Sequence, residues 1–229
     1  MYVFHNCTAL EEINIPDGVT ELQDNLFQRC QNLTNISIPN SIETIGQEVF
    51  ENCNNLQNIT LPYGLTSIGD NAFASTGFQY LSLPETVTSI GEGVFANCIY
   101  LERLAVYNPI PILINENTFE NTPTNTCVLV VPDGSVSDYQ SALVWNQFDN
   151  IIDFTTGNLS GKVVQPIIFA DGDLMVIKGA KENSEVKIYT ITGSLIKTFT
   201  TSTDYDSSRL RSGNVYIVKV NGVNYKVVM

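Results

Sequence analysis

The chain has 229 residues, 43% of them hydrophobic, and a formal charge of −13. Up to Thr156 two basic residues, Arg29 and Arg103, stand against eighteen acidic ones, a net of −16, whereas from Gly157 onward nine basic against six acidic give +3. A surface with no lysine before Lys162 repels phosphate backbones and anionic lipid, which argues against nucleic acid as a partner. No apolar run approaches the roughly 20 residues of a membrane helix, which argues against membrane insertion.

The opening segment, MYVFHNCTALEE, has neither a basic n-region nor a long apolar core, and it starts part-way through a repeat. A signal segment and further repeats are therefore expected upstream. The repeat itself is plain: phenylalanine recurs at Phe4, Phe27, Phe50, Phe73 and Phe95, at spacings of 23, 23, 23 and 22 residues. Proline recurs at Pro16, Pro39, Pro62 and Pro84, and cysteine at Cys7, Cys30, Cys53 and Cys98 with Thr76 in the missing slot. Self-similarity at this period signals a solenoid, in which each unit buries its apolar face only against its neighbours.

The common form is LxxIxLPxxVxxIGxxxFxxCxx. Its first half alternates as a half-buried strand must, with Leu10, Ile13 and Ile15 inward and Glu12 and Asn14 outward. Proline, lacking a ladder donor, ends the strand. A second apolar pair, such as Val87 and Ile90, fits a short extended piece on the opposite side of the coil. Gly46, Gly69 and Gly91 mark a turn expected to need positive φ, and the FxxC segment is expected to form one helical or 3-10 turn whose Phe plugs the core. These units resemble the BspA-like leucine-rich repeats of bacterial surface proteins over residues 1 to about 153. The resemblance implies a parallel sheet of LxxIxLP strands lining the concave side of an arc. It also implies roles in attachment to host extracellular matrix and in contacts between bacteria.

Neighbouring turns stack roughly 4.8 Å apart, close enough for disulfides by spacing alone. Yet Cys98 has Thr76 and Thr122 as its column neighbours, and three consecutive cysteines cannot all pair. The column Cys7, Cys30, Cys53, Cys98 therefore reads as structural, buried free thiols whose slot needs a small group that hydrogen-bonds backbone. Stacked parallel side chains do not converge tetrahedrally, so no metal is expected. Residues 107–125 make a longer, Pro- and Asn-rich excursion around Phe119. CVLVVP at 127–132 restores a strand whose outward positions, Val128 and Val130, call for a cover. A capping helix over about 135–148, started by Ser135 or Ser137 and burying Val136, Tyr139, Leu143 and Phe148, is expected to supply it, with Trp145 in the core.

TTGNLSG reads as a linker over about 154–161, and residues 162–229 as a small antiparallel β-sandwich of short alternating strands. Thr192-Gly193 and Asn221-Gly222 are hairpin signals. The stretches VKIYTITGSLIKTF (186–199), LRSGNVYIVKVNG (210–222) and the terminal YKVVM resemble the C-terminal sorting domain of the type IX secretion system. This chain departs from that family's basic-apolar ending by stopping at Met229 without a final lysine. The fold class expected is thus mostly β: a solenoid followed by a sandwich.

Catalytic equipment is sparse. His5 is the sole histidine, and no phosphate loop, HExxH or CxxC pair is present. Asp171-Gly172-Asp173 falls short of a calcium loop. Adjacent carboxylates such as Glu11 and Glu12 point to opposite faces of a strand, not together into a cleft. The chain is read as a non-enzyme without cofactor, and the binding surface is sought on the outward strand positions. One column is Glu12, Asn35, Asn58, Tyr80, Arg103; the other is Asn14, Ser37, Thr60, Ser82, Ala105. Tyr80 beside Arg103 has the composition of an interface hot spot. The expected function is an exported surface recognition or adhesion module binding a protein or glycan, including host matrix. The alternatives are a structural spacer or the non-catalytic part of a larger carbohydrate-active protein.

Overall fold

The computed structural model describes residues 3–154, 167–171, 174–178, 183–201, 205–210, 215–220 and 223–228. The chain divides into two compact units, Met1–Gly157 and Asn158–Met229. The first is a parallel β-coil with two columns of strands. One column contains β1 (Glu12–Asn14), β3 (Asn35–Ser37), β6 (Tyr80–Leu83), β8 (Arg103–Val106), β9 (Val128–Val131) and β10 (Asn150–Asp153). The other contains β2 (Glu21–Leu22), β4 (Thr44–Ile45), β5 (Ser67–Ile68) and β7 (Ser89–Ile90). The second column is one continuous sheet, β2-β4-β5-β7, whereas the first splits into β1-β3 and β6-β8-β9-β10. Residues 56–62 run between them without strand pairing, so the single concave sheet implied by the repeat is interrupted at the third turn.

The FxxC segments are runs of β-turns rather than the single helical turns expected. Around Phe27, Phe50 and Phe73 the backbone N–H groups two before, at and two after the Phe donate across to the next turn, as in Asn25→Gln47, Phe27→Val49 and Arg29→Glu51 at 2.8–3.0 Å. Those donors cannot also close a helix. Left-handed residues stand at the same offsets on both sides of Phe27, Phe50, Phe73 and Phe95 and after Phe4 and Phe119, mostly asparagine (Asn6, Asn25, Asn52, Asn71, Asn97, Asn121), which tolerates that conformation best after glycine. The rings stack through the coil: Phe4, Phe27, Phe50, Phe73, Phe95 and Phe119 follow one another with centroids 5.5–6.0 Å apart and planes within 15°. Leucine and isoleucine of both strand columns enclose this spine.

Gly46, Gly69 and Gly91 do not have positive φ; that expectation is corrected. A Cβ at Gly69 would stand 2.7 Å from the backbone N of Gln47, and one at Gly91 would stand 2.6 Å from the backbone N of Asp70. Glycine is required there because adjacent turns touch backbone to backbone, a non-local reason that local turn chemistry does not reveal.

The cap is split. Helix α1 (Val136–Ser141) ends at Ala142, Val144 turns left-handed at φ 70°, and a 3-10 turn spans Trp145–Gln147. The break leaves Leu143 exposed, against expectation. Tyr139, Trp145 and Phe148 are buried: Trp145 and Phe148 meet Phe119 edge-on at 5.6 and 4.9 Å and close the phenylalanine stack. Tyr139 Oη and Trp145 Nε1 donate to the carbonyls of Asn108 and Ile112, holding the long excursion under the cap. Ser135 precedes the helix without capping it, its hydroxyl donating instead to Pro109 O. Phe154, assigned to the linker by sequence, is buried against Tyr107 at 4.7 Å, and the remaining linker residues, 155–161, lie outside the described residues.

The second unit pairs its strands antiparallel. One sheet has the order β11 (Ile167–Asp171), β12 (Leu174–Lys178), β15 (Tyr205–Arg209). The other has the order β14 (Leu195–Thr200), β13 (Glu185–Thr190), β16 (Val215–Val220), β17 (Val223–Val228). Met175 and Ile177 from the first sheet share one core with Val186, Ile188, Val218 and Val220 from the second, which makes the unit a sandwich. The β13–β14 hairpin turns at Gly193 with φ 88°. Asn221-Gly222, Gly172-Asp173 and Met229 lie outside the described residues.

Candidate functional site

The outward columns are brought into register by parallel pairing. Glu12 lies opposite Asn35 and Asn14 opposite Ser37; Tyr80 lies opposite Arg103, and Ser82 opposite Ala105. Asn58 and Thr60 fall in the stretch without strand pairing, yet both are exposed. The columns change character along the coil. Glu12, Asn14, Asn35 and Ser37 are exposed, Tyr80 and Ser82 are half-buried, and Arg103 and Ala105 retain only 5% and 1% of their accessible surface.

Arg103 is thus not the accessible anchor that the sequence suggests. β8 lies between β6 and β9, with Tyr80 and Val128 in register on either side, and all four of its residues are buried. Farther along the same face Tyr107 packs against Phe154 with the two rings tilted. Burial pulls the guanidinium below its usual pKa, opposed by the electrostatic influence of Tyr80 and Cys127. The Tyr80 hydroxyl donates to Glu102 at 3.0 Å, and one turn earlier Tyr63 donates to Glu85 at 2.6 Å, so the tyrosines are tied to carboxylates of the following turn.

The thiol column runs along the interior. Cys30 Sγ, Cys53 Sγ and Cys98 Sγ point at the carbonyls of Phe4, Phe27 and Phe73, at 3.0, 3.1 and 3.2 Å. Thr122 continues the pattern by donating to Phe95 O, while Thr76 donates to Phe73 O of its own turn at 2.8 Å. At Cys30, Cys53, Cys98 and Thr122 the slot carries a donor for the carbonyl of the phenylalanine one turn back, and Thr76 departs from this. All five cysteines are free, with Cys7 half-buried and the others buried. Burial pushes the Cys30 and Cys98 thiols up to about 11 and Cys127 to about 12, so these thiols are neutral and unreactive at ordinary pH. Among the described residues no group of three or more His, Cys, Asp or Glu is placed to hold a metal, and no helix is long and apolar enough to cross a membrane.

A cavity of about 600 Å³ opens on the outer junction between turns, bounded by Asn54 and Asn55 on one side and Ile99 and Tyr100 on the other, with Gly77 and Gln79 between. Sequence reasoning named none of these residues. The signal that could have found them is the single 22-residue spacing, between Phe73 and Phe95.

The BspA-type leucine-rich repeat model matches residues 1–102 and 66–160, in six copies. The chain belongs to this family. No curated protein sequence matches it. Among solved structures, a leucine-rich repeat protein from Bacteroides ovatus is 28% identical over 58% of this chain and 42% of its own, with a TM-score of 0.49. The pneumococcal vaccine antigen PcpA is 22% identical over 62% of this chain and 41% of its own, with a TM-score of 0.50, a likeness of fold. A leucine-rich repeat protein of T. pallidum is 22% identical over 57% of this chain and 69% of its own, with a TM-score of 0.44. The chain thus spans less than half of the first two proteins. The BspA-type match covers the whole coil, and no enzyme family is indicated.

Proposed function

We propose that this BspA-type coil is an exported, surface-associated recognition module that binds a protein ligand through the outward positions of its opening turns. The observation that carries this reading is the pair of exposed columns Glu12, Asn35, Asn58 and Asn14, Ser37, Thr60. They are short, hydrogen-bonding side chains on a rigid backbone, bordered by Tyr80. Solenoids act through side chains grafted on a repeating scaffold, and rigid placement reduces the entropy lost on binding. The acidic balance up to Thr156 favours a partner with a basic patch and a salt-dependent on-rate. Arg103 is left out of the surface because it is buried.

The test is titration of the full chain against matrix proteins such as fibronectin and fibrinogen at physiological salt, beside an Asn35→Ala/Asn58→Ala/Tyr80→Ala variant. Saturable binding weakened about tenfold or more in the variant supports the surface. Binding unchanged in the variant removes it.

The export half of the reading rests on the sorting-domain-like stretches 186–199 and 210–222 in the second unit. Removing residues 158–229 abolishes surface display in a host that carries type IX secretion, if the sandwich is the sorting signal. Retained display overturns that assignment.

A further inference from the structure

The cavity beside Gly77 comes from one missing residue. In the other complete units two residues separate the cysteine slot from the next strand: Gln31-Asn32 after Cys30, Asn54-Asn55 after Cys53, and Ile99-Tyr100 after Cys98. These pairs form a ridge along the coil, and Asn55 Nδ2 donates to Asn32 Oδ1 across one rung of it at 3.2 Å. After Thr76 only Gly77 remains. The ridge is cut there, and the residues of the second and fourth turns face each other over a gap two turn-spacings wide, about 10 Å between backbones.

The floor is fixed. A Cβ on Gly77 would meet the carbonyl of Asn54, so no side chain can fill the notch from below. Asn54 Nδ2 donates to Ser75 O at 3.0 Å and pins one wall. Thr76, buried beneath, is committed to Phe73 O and Cys98 Sγ. Asn97 accepts from Asn121 at 3.1 Å and steadies the far side.

What remains available is chemically specific. Among the described residues none that is charged lines the cavity. The side-chain amides of Gln57 and Gln79 line it and are without a hydrogen-bond partner among the described residues. Ile99 and Tyr100 are each 59% exposed, so an apolar surface and an aromatic ring stand uncovered beside the amides. Amides that donate and accept at once match vicinal hydroxyls, and an exposed tyrosine offers a face for the C–H side of a sugar ring. The turn backbone beside the notch is used by the coil: Asn52, Ser75 and Asn97 N–H donate to Ala74, Ala96 and Glu120. Residues 56–62 beside it carry no strand pairing, so an extended peptide is the competing occupant, and the hexapeptide control separates it from recognition by side chains.

We propose that this notch is a binding site for a neutral carbohydrate, with Tyr100 as the ring platform and Gln57 and Gln79 as the hydroxyl-reading amides. The volume lies within the range of small-ligand pockets and suits one or two sugar units. The site shares no residue with the columns proposed above to bind protein, so either reading can fail alone.

The experiment is saturation-transfer NMR and calorimetry of the full chain with neutral oligosaccharides (cello-, xylo-, manno- and chito-oligomers), with heparin and an uncharged hexapeptide as controls. A neutral saccharide binds, and Tyr100→Ala and Gln57→Ala/Gln79→Ala each weaken it about tenfold or more while the thermal midpoint stays unchanged. Inserting one alanine after Gly77 restores the ridge and removes binding; should that variant unfold, the two surface variants still decide. Absence of binding by every neutral saccharide at millimolar concentration overturns the site, as does binding that Tyr100→Ala leaves intact. Preference for heparin or the hexapeptide also overturns it.

Discussion

In the opening turns of the coil the outward strand positions, Glu12, Asn14, Asn35 and Ser37, are exposed; in the closing turns Arg103, Ala105 and Val130 are buried at equivalent positions. Inside, the same two regions are alike: phenylalanines stack at one spacing throughout, and the Cys30 thiol near one end and the Thr122 hydroxyl near the other reach the equivalent carbonyl. The interior column is constrained because each turn is the floor of the next, so any deviation is felt on two sides. The outward face has no such constraint, and it diverges from a solvated polar surface to a covered apolar one. Function in such a coil is therefore to be sought where the repeat is not kept, as at the exposed columns and the notch at Gly77.

The sharpest way to break this comparison is to cut the spine at two places. Phe50 is fully buried with a ring on either side, whereas Phe4 is half-buried and stacks on Phe27. Phe50→Ala is expected to destabilise the coil by about 3–5 kcal/mol, and Phe4→Ala by clearly less, in urea unfolding followed by Trp145 fluorescence. Equal losses would show that the stack does not act as a continuous core. A smaller effect separates two kinds of glycine. Gly69→Ala forces a Cβ against backbone and should cost about 1–3 kcal/mol. Gly134→Ala meets open space but takes φ 83°, costing about 1–2 kcal/mol. Asparagine tells them apart: Gly134→Asn recovers part of the loss because asparagine accepts the left-handed region, and Gly69→Asn recovers none. A harmless Gly69→Asn would refute the close approach of turns.

The interior was legible from the sequence because a stacked coil repeats its constraint every 22 or 23 residues, so Phe27, Cys30 and Ile45 announce their places by recurrence. What was not legible depends on contacts between turns or on the absence of a neighbour. Gly46, Gly69 and Gly91 recur just as regularly, yet recurrence says only that a side chain is not tolerated, not whether φ or crowding forbids it. Arg103 sits in an outward slot, and nothing local tells that the strands on either side wall it in. The break of the cap at Ala142–Val144 follows from Trp145 turning onto Phe119, a tertiary demand that overrides the apolar spacing which had placed Leu143 inside.

The finest test concerns the donor slot itself. Cys98 and Thr122 occupy it in successive turns and serve the carbonyls of Phe73 and Phe95, so Cys98→Thr should change stability at pH 7 by about 1 kcal/mol or less. The two donors differ in titration. Burial raises the Cys98 thiol from 9.0 to about 11, and Cys30 likewise, which means the folded state holds these protons more tightly than the unfolded state. Their contribution is complete below pH 9 and is lost as pH rises toward 11, because the unfolded chain ionises first and gains the free energy of doing so. The wild-type urea midpoint should therefore fall between pH 9 and 11, and Cys98→Thr should fall less steeply, since its hydroxyl does not ionise there. Every other titratable group is common to both proteins, so the difference between the two slopes isolates the thiol. Identical slopes would mean that Cys98 is not held as a neutral donor to Phe73, and the thiol column would reduce to packing alone.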